Sequence, residues 1–173
     1  ALEKVVCALV HHRVDTVKGS DFDEVWLGEQ SLEGAVVLAE AIGYSRSLKT
    51  LDLSRCRVST EGWDVLLRTG VAKSVSLTDL NISNNGLGEG GGKAVGEALC
   101  VNTVLQTLDL TWSRLGEVGA KAVGEALRVN TVLQTLDLSA NHLGGVGGKA
   151  VGEALGVNTV LRTLDLSSNQ LGE

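Results

Sequence analysis

The sequence predicts an α/β solenoid, a stack of about six strand–helix units that are each about 28 residues long. Three observations lead to this prediction. A short motif of alternating apolar residues recurs at a nearly constant spacing, and a helical stretch rich in glycine and alanine follows most copies of it. The chain also has 22 glycines and no proline, so a recurring glycine turn is the device that reverses its direction.

The strand of each unit has the form L-x-x-L-x-L. The copies begin at Phe22, Leu48, Leu77, Leu105, Leu133 and Leu161, and the first of them is the poorest match. Alternation of apolar and polar residues over a short stretch is typical of a strand that buries one face. Residues 22–27 are therefore predicted as the first of six strands.

A turn and a helix follow the strand. An asparagine stands three residues past the last apolar position in the best copies (Asn85, Asn141 and Asn169), and a Leu-Gly pair begins two residues after it. The next stretch places apolar residues on one helical face, as at Ala122, Val123, Ala126 and Leu127. Each unit therefore has an inward strand face and an inward helical stripe, and it can bury both only against its neighbours in a stack.

The pattern L-x-x-L-x-L-x-x-N-x-L-G with a helix resembles the leucine-rich repeat of the ribonuclease-inhibitor type, as found in NOD-like receptors and Ran GTPase-activating proteins. The resemblance covers about residues 22–173. It implies a horseshoe with a parallel β-sheet on the concave face and helices on the convex face. It also implies that the asparagine satisfies backbone groups of the turn. Cys56 and Ser113 replace that asparagine, and Ser113 is expected to weaken the asparagine ladder locally.

The repeats predict a single domain over residues 1–173. Residues 1–47 form an irregular N-terminal helix and first repeat; the regular repeats are 48–76, 77–104, 105–132 and 133–160, and 161–173 is a truncated repeat. Because the last unit stops before its helix, we expect this chain to be a part of a longer chain or of a larger complex.

Composition excludes several classes of function. The net charge of −6 disfavours nucleic acid, whose phosphates attract clustered Lys and Arg. Apolar runs such as Val5–Val10 are far shorter than the roughly 20 residues that a membrane-spanning helix needs. Three cysteines without a CxxC pair favour free thiols in the cytoplasm or another intracellular compartment.

Motifs that suggest chemistry are explained by the repeat. The segment Gly86–Gly91 fits the dinucleotide-binding pattern G-x-G-x-x-G, but Arg114 and His142 replace its first glycine in the sister repeats. Cys7 and His11 have the spacing of metal ligands on a helix, yet no second ligand pair follows. We therefore predict no catalytic residue, no metal site and no cofactor, and a protein that is not an enzyme.

Candidate binding residues are those that point outward from the strands or follow them. The fifth position of the strand motif holds an almost continuous acidic column, preceded by a tryptophan: Trp26, Asp52, Asn81, Asp109, Asp137 and Asp165. Variable residues just beyond the strands are Arg55, Trp112, Arg114 and His142. One interpretation is a docking surface for a basic or hydroxyl-rich partner, with Trp26 and Trp112 as anchors. The other is that L-D-L-S only fills solvated positions of the repeat.

The predicted function is a protein–protein interaction module or scaffold that uses the concave face or its edge, with no nucleic-acid or membrane partner. Two alternatives stay open at this point. The first is a GTPase-activating protein of the Ran type, for which no functional residue can be assigned in this sequence. The second is a purely structural spacer in a larger assembly, whose concave face binds nothing.

Overall fold

The computed structural model describes residues 15–18, 32–56 and 58–172. Six short strands form one parallel sheet in which each strand pairs with the next along the chain. The strands are β1 (Thr16–Lys18), β2 (Thr50–Asp52), β3 (Asp79–Asn81), β4 (Thr107–Asp109), β5 (Thr135–Asp137) and β6 (Thr163–Asp165). The predicted α/β repeat solenoid is confirmed.

The helices stack beside one another behind the sheet. They are α1 (Leu32–Tyr44), α2 (Thr60–Val65), α3 (Gly88–Val101), α4 (Gly116–Leu127) and α5 (Gly144–Leu155), and a π-helical segment, Leu66–Val71, continues α2. Helix α3 packs on α4, and α4 packs on α5. Residues 60–71 therefore do not form the single regular α-helix that the later repeats have. No helix in the described ranges combines the length and the apolarity that a membrane crossing requires.

The core lies between the sheet and the helices. The central residue of each strand from β1 to β5 is buried, while the residues on either side of it are at least partly exposed. From the helices, Val123, Ala126 and Leu127 are fully buried, as their helical spacing predicts. A Cβ at Gly92 would lie 2.5 Å from the Cα of Gly119, so glycine at that position is what allows α3 and α4 to approach so closely.

The first described strand lies earlier in the sequence than the predicted strand at residues 22–27. The strand that pairs with β2 is Thr16–Lys18, and Lys18 stands opposite Asp52. Residues 22–27, including Trp26, lie outside the described residues. Val17, the central residue of this strand, is 2% exposed and packs in the core.

Two ladders of asparagine side chains join the repeats. In the predicted ladder, at the strand-end turn, Asn141 Nδ2 donates to the carbonyls of Leu110, Leu138 and Ser139. A second ladder follows the helices at Asn102, Asn130 and Asn158, where each Nδ2 donates to backbone carbonyls of the preceding repeat. This second ladder was not predicted from the sequence. Both ladders satisfy buried backbone groups that regular secondary structure leaves unpaired.

Candidate functional site

The outward side chains of the strands form straight columns on the open face of the sheet, which we call the sheet face. The parallel register aligns Asp52, Asn81, Asp109, Asp137 and Asp165. Adjacent strands lie about 4.8 Å apart, so neighbouring carboxylates in this acidic column repel each other. Lys18 stands beside Asp52 at the start of the column. Trp26, predicted at that place, lies outside the described residues.

Each member of the acidic column has a structural hydrogen bond. Its Oδ1 accepts from the backbone N–H two residues later, over 2.8 Å from Thr111 to Asp109 and 3.0 Å from Ser83 to Asn81. This bond closes a turn at the end of the strand. Since Asn81 makes it as an amide, the turn explains an oxygen at this position but not the charge of the four aspartates.

Hydroxyl groups beside the column reinforce it. Ser139 Oγ lies 2.6 Å from Asp137 Oδ1 and 3.3 Å from Thr111 Oγ1. Hydrogen bonds from the backbone N–H of Ser167, and then from its hydroxyl, lower the pKa of Asp165 below its ordinary value. The Asp165 carboxylate is therefore charged at neutral pH and fully open to solvent.

The turns beyond the strands form a second surface, which we call the strand-end edge. Residues on both sides of the ladder position adopt left-handed backbone conformations: Arg55, Asn84, Trp112, Arg114, Ala140, His142, Ser168 and Gln170 all have φ between 54° and 58°. Such a conformation costs a residue other than glycine about 1 kcal/mol or more. Hydrogen bonds between repeats hold it, as between Trp112 N–H and the carbonyl of Ser139 at 3.2 Å.

Trp112 is the most conspicuous residue of this edge. Its side chain is 60% exposed although its φ is 56°. The same position of the other repeats holds Arg55, Asn84, Ala140 and Ser168. A bulky aromatic residue in a left-handed conformation is unusual, and an exposed one gains little from the core of its own chain.

Trp112 and Arg114 line an open groove of about 700 Å³. Three consecutive repeats build it, because Val58–Thr60 come from one, Asn84–Gly86 from the next, and Trp112 and Arg114 from the third. Val58, Ser59, Thr60, Asn84 and Gly86 were not among the predicted site residues. Aligning the repeats could have drawn attention to Gly86, which leaves a gap where Arg114 and His142 carry side chains.

The structure brings together only part of the predicted site. Trp112 and Arg114 share the groove, whereas Arg55 and His142 are exposed at other points along the strand-end edge. The aspartates lie on the adjoining sheet face. Across the described ranges, no group of three or more His, Cys, Asp or Glu side chains could hold a metal ion.

This architecture is similar to that of known proteins. A family model described as Leucine Rich repeat matches residues 44–66, 73–96, 101–124, 129–152 and 157–173. No curated protein matches the sequence. Among solved structures, leiomodin-1 actin-binding site 2 is similar at a TM-score of 0.68 and 18% identity, over 91% of this chain and 88% of that one.

The C-terminal domain of Caenorhabditis elegans tropomodulin is similar at a TM-score of 0.63 and 20% identity, over 91% of this chain and 92% of that one. Identities this low establish a shared fold and carry no residue contacts from one protein to another. The family model covers well over half of the chain, and its matches follow the repeats that the sheet and helices define. The chain belongs to the leucine-rich repeat family.

Proposed function

We propose that this chain is a protein-binding module whose partner lies across the sheet face and over the strand-end edge. The observation that carries the proposal is Trp112, which is 60% exposed and held in a left-handed conformation. Tryptophan is among the residues most enriched at the energetic centres of protein interfaces. A partner that covers this ring supplies the burial that the fold itself does not.

The acidic column indicates the chemistry of the part of the partner that lies on the sheet face. Asp52, Asp109, Asp137 and Asp165 share one line, and the strand-end turn requires an oxygen there but no charge. A segment carrying Lys or Arg complements these carboxylates. Complementary charge increases the association rate and the specificity, and salt weakens both effects.

The alternatives differ in what supports them. The solved structures described above are leiomodin and tropomodulin domains, so the Ran-type GTPase-activating alternative gains no support from them. The leiomodin domain is an actin-binding site, which makes actin the first purified partner to test. The structural spacer remains the competing hypothesis, and it predicts that the exposed Trp112 ring and the acidic column are dispensable.

The first test is Trp112→Ala. Ala140 occupies the equivalent left-handed position with φ 54°, so the variant keeps the fold. We expect the affinity for a partner to fall about thirtyfold, the effect of losing one central interface residue. The matched control is Val146→Ala, because Val146 is 58% exposed on helix α5, away from both surfaces.

The measurement is quantitative mass spectrometry of proteins captured by the immobilised chain, together with cosedimentation with purified actin. A protein recovered by the wild type and by Val146→Ala, but not by Trp112→Ala, supports the proposal. Equal recovery of every captured protein by all three chains would exclude Trp112 as an anchor and favour the structural spacer.

The second test removes the charge of the acidic column with the triple change Asp109→Asn, Asp137→Asn and Asp165→Asn. Asn81 accepts the same turn hydrogen bond as an amide, so the strand ends are preserved. We expect weaker capture of the partner and a loss of its salt dependence. Unchanged capture with unchanged salt dependence would contradict a basic partner segment on the sheet face.

A further inference from the structure

The groove beside Trp112 has a charge opposite to that of the protein as a whole. The chain carries a net charge of −6, yet the described residues that line the groove include one cation, Arg114, and no carboxylate. In the part of the chain that the structure describes, no acidic side chain forms an ion pair with Arg114. The guanidinium therefore keeps all its donors available to a ligand.

Neutral hydrogen-bond donors complete the polar wall. Ser59 Oγ accepts a hydrogen bond from the backbone N–H of Gly62 at 3.1 Å, which leaves its own hydroxyl proton free to donate. Asn84 adds an exposed amide from the neighbouring repeat. A groove whose polar atoms include a cation and neutral donors, without any fixed anion, selects an anionic group.

The shape of the groove leaves room for a chain segment. Gly86 has a φ of 59°, and no atom lies within 4 Å of the place where its Cβ would stand. The repeats that follow carry Arg114 and His142 at this position. The gap at Gly86 therefore opens into the groove that Trp112 and Val58 also line, and these two side chains supply its apolar surface.

We propose that this groove binds a carboxylate-bearing segment of the protein partner, with Arg114 pairing with the carboxylate and Trp112 covering the adjoining apolar side chain. The inference rests on the proposed function, because it assigns the chemistry of the partner at the strand-end edge. A single guanidinium fork matches one carboxylate, whereas tightly held phosphates normally meet several cations. The occupant is thus an acidic protein segment rather than a phosphorylated ligand.

The two surfaces together orient the partner. The acidic column repels carboxylates from the sheet face, and the groove accepts one at the strand-end edge. A segment with a basic residue over Asp109 and an acidic residue in the groove satisfies both surfaces, while the reversed segment satisfies neither. This polarity gives the partner one direction across the repeats.

The experiment uses the whole chain and a defined probe, the peptide acetyl-Leu-Glu-Leu-Glu-Gly-amide, with the same peptide carrying Gln in place of Glu as its control. Two-dimensional nitrogen–proton NMR spectra follow the indole N–H of Trp112 and the Nε–H of Arg114 during titration. We expect saturable shifts of both resonances with the glutamate peptide and at least about tenfold weaker binding of the glutamine peptide. Equal binding of the two peptides overturns the proposal.

Two variants and one small anion complete the test. Arg114→Gln should abolish the shift of Trp112, and Gln170 shows that glutamine fits this left-handed position, with φ 56°. The matched control, Arg128→Gln, removes an exposed arginine at the end of helix α4 and should bind the peptide normally. Normal peptide binding by Arg114→Gln overturns the proposal. So does inorganic phosphate if it shifts both resonances as strongly as the peptide at equal concentration.

Failure of this inference is separable from failure of the proposed function. If Trp112→Ala loses the captured partner while Arg114→Gln retains it, the proposed protein-binding function is supported and the proposed carboxylate binding in the groove is contradicted. If the glutamate peptide binds but capture of no partner depends on Trp112, carboxylate binding in the groove is supported and the proposed protein-binding function is contradicted.

Discussion

The side-chain oxygen of Asn141 accepts a hydrogen bond from the backbone N–H of Ser113, 2.9 Å away and one repeat earlier in the stack. The Nδ2 of the same side chain donates to the carbonyls of Leu110, Leu138 and Ser139. Asn141 is fully buried, so its removal would leave these buried backbone groups without hydrogen-bond partners. We expect Asn141→Ala to lower the free energy of unfolding by about 3 kcal/mol, measured by urea denaturation.

The control for this measurement is Asn84→Ala. Asn84 is exposed, and Ala140 occupies the same left-handed position in another repeat. Its free energy of unfolding should stay within about 0.5 kcal/mol of the wild type. Equal destabilisation by the two changes would mean that the buried ladder does not join the repeats.

Ser113 is a weak member of the same ladder, and Asn should strengthen it. Its hydroxyl lies 3.5 Å from the carbonyl of Ile82, whereas Asn169 donates to the corresponding carbonyl of Leu138 at 2.8 Å. An asparagine at position 113 would also accept from the backbone N–H of Asn85. We therefore expect Ser113→Asn to raise the free energy of unfolding by about 1 kcal/mol.

Denaturation of Ser168→Asn provides the comparison for that variant. Ser168 is exposed in a left-handed conformation, which Asn84 also adopts, so this change adds an amide without joining the ladder. A gain in stability only at position 113 assigns the effect to the ladder. A loss of stability at position 113 would show that the surrounding turns are too tightly packed for the larger side chain.

Trp63 combines full burial with an unsatisfied donor. Its side chain is 1% exposed, and its Nε1 has no hydrogen-bond partner among the described residues. Phe keeps most of the ring volume and removes the unpaired N–H, so the two effects of Trp63→Phe oppose each other. We expect Trp63→Phe to cost less than about 1.5 kcal/mol and Trp63→Ala about 4 kcal/mol in guanidinium unfolding. Similar costs for both would show that the indole N–H is satisfied.

The spacing of the strand motif was sufficient to predict β2 to β6 and the columns on the sheet face. One buried leucine alternating with polar residues fixes both the strand and its register, because a slip by one residue would expose the leucine. The same rule did not locate β1. Its central residue, Val17, is followed two positions later by Gly19, where the other copies have an apolar residue, so β1 does not fit the motif L-x-x-L-x-L.

The strand-end edge was harder to predict because its geometry arises between repeats. Glycine indicates a left-handed turn in sequence, but Trp112 and Arg114 adopt the same conformation, and the Trp112 N–H donates to the carbonyl of Ser139 in the next repeat. The groove joins residues of three repeats, so no single motif contains it. The second ladder does leave a signal in the sequence, because Val-Asn-Thr-Val recurs at Val101–Val104, Val129–Val132 and Val157–Val160.

The thiol of Cys56 should react slowly with disulfide reagents near neutral pH. Burial raises the pKa of this thiol from 9.0 to about 11, and the negative charge of Asp52 adds to the rise. The reactive species is the thiolate, so we expect Cys56 to react with a disulfide reagent at pH 8 roughly tenfold more slowly in the folded chain than in urea. The variant with Cys7→Ser and Cys100→Ser leaves Cys56 as the single thiol. Equal rates in the folded and unfolded chains would contradict the raised pKa.

The raised pKa of Cys56 also makes the stability of the fold depend on pH in the alkaline range. The unfolded chain loses the Cys56 proton near pH 9.0 and the folded chain near pH 11, so the folded state binds more protons between these values. The free energy of unfolding must therefore fall as pH rises through this window. Cys56→Ser removes the titration, and its denaturation midpoint should fall less steeply between pH 9 and pH 11 than that of the wild type. Identical slopes would mean that the thiol titrates alike in the folded and unfolded chains.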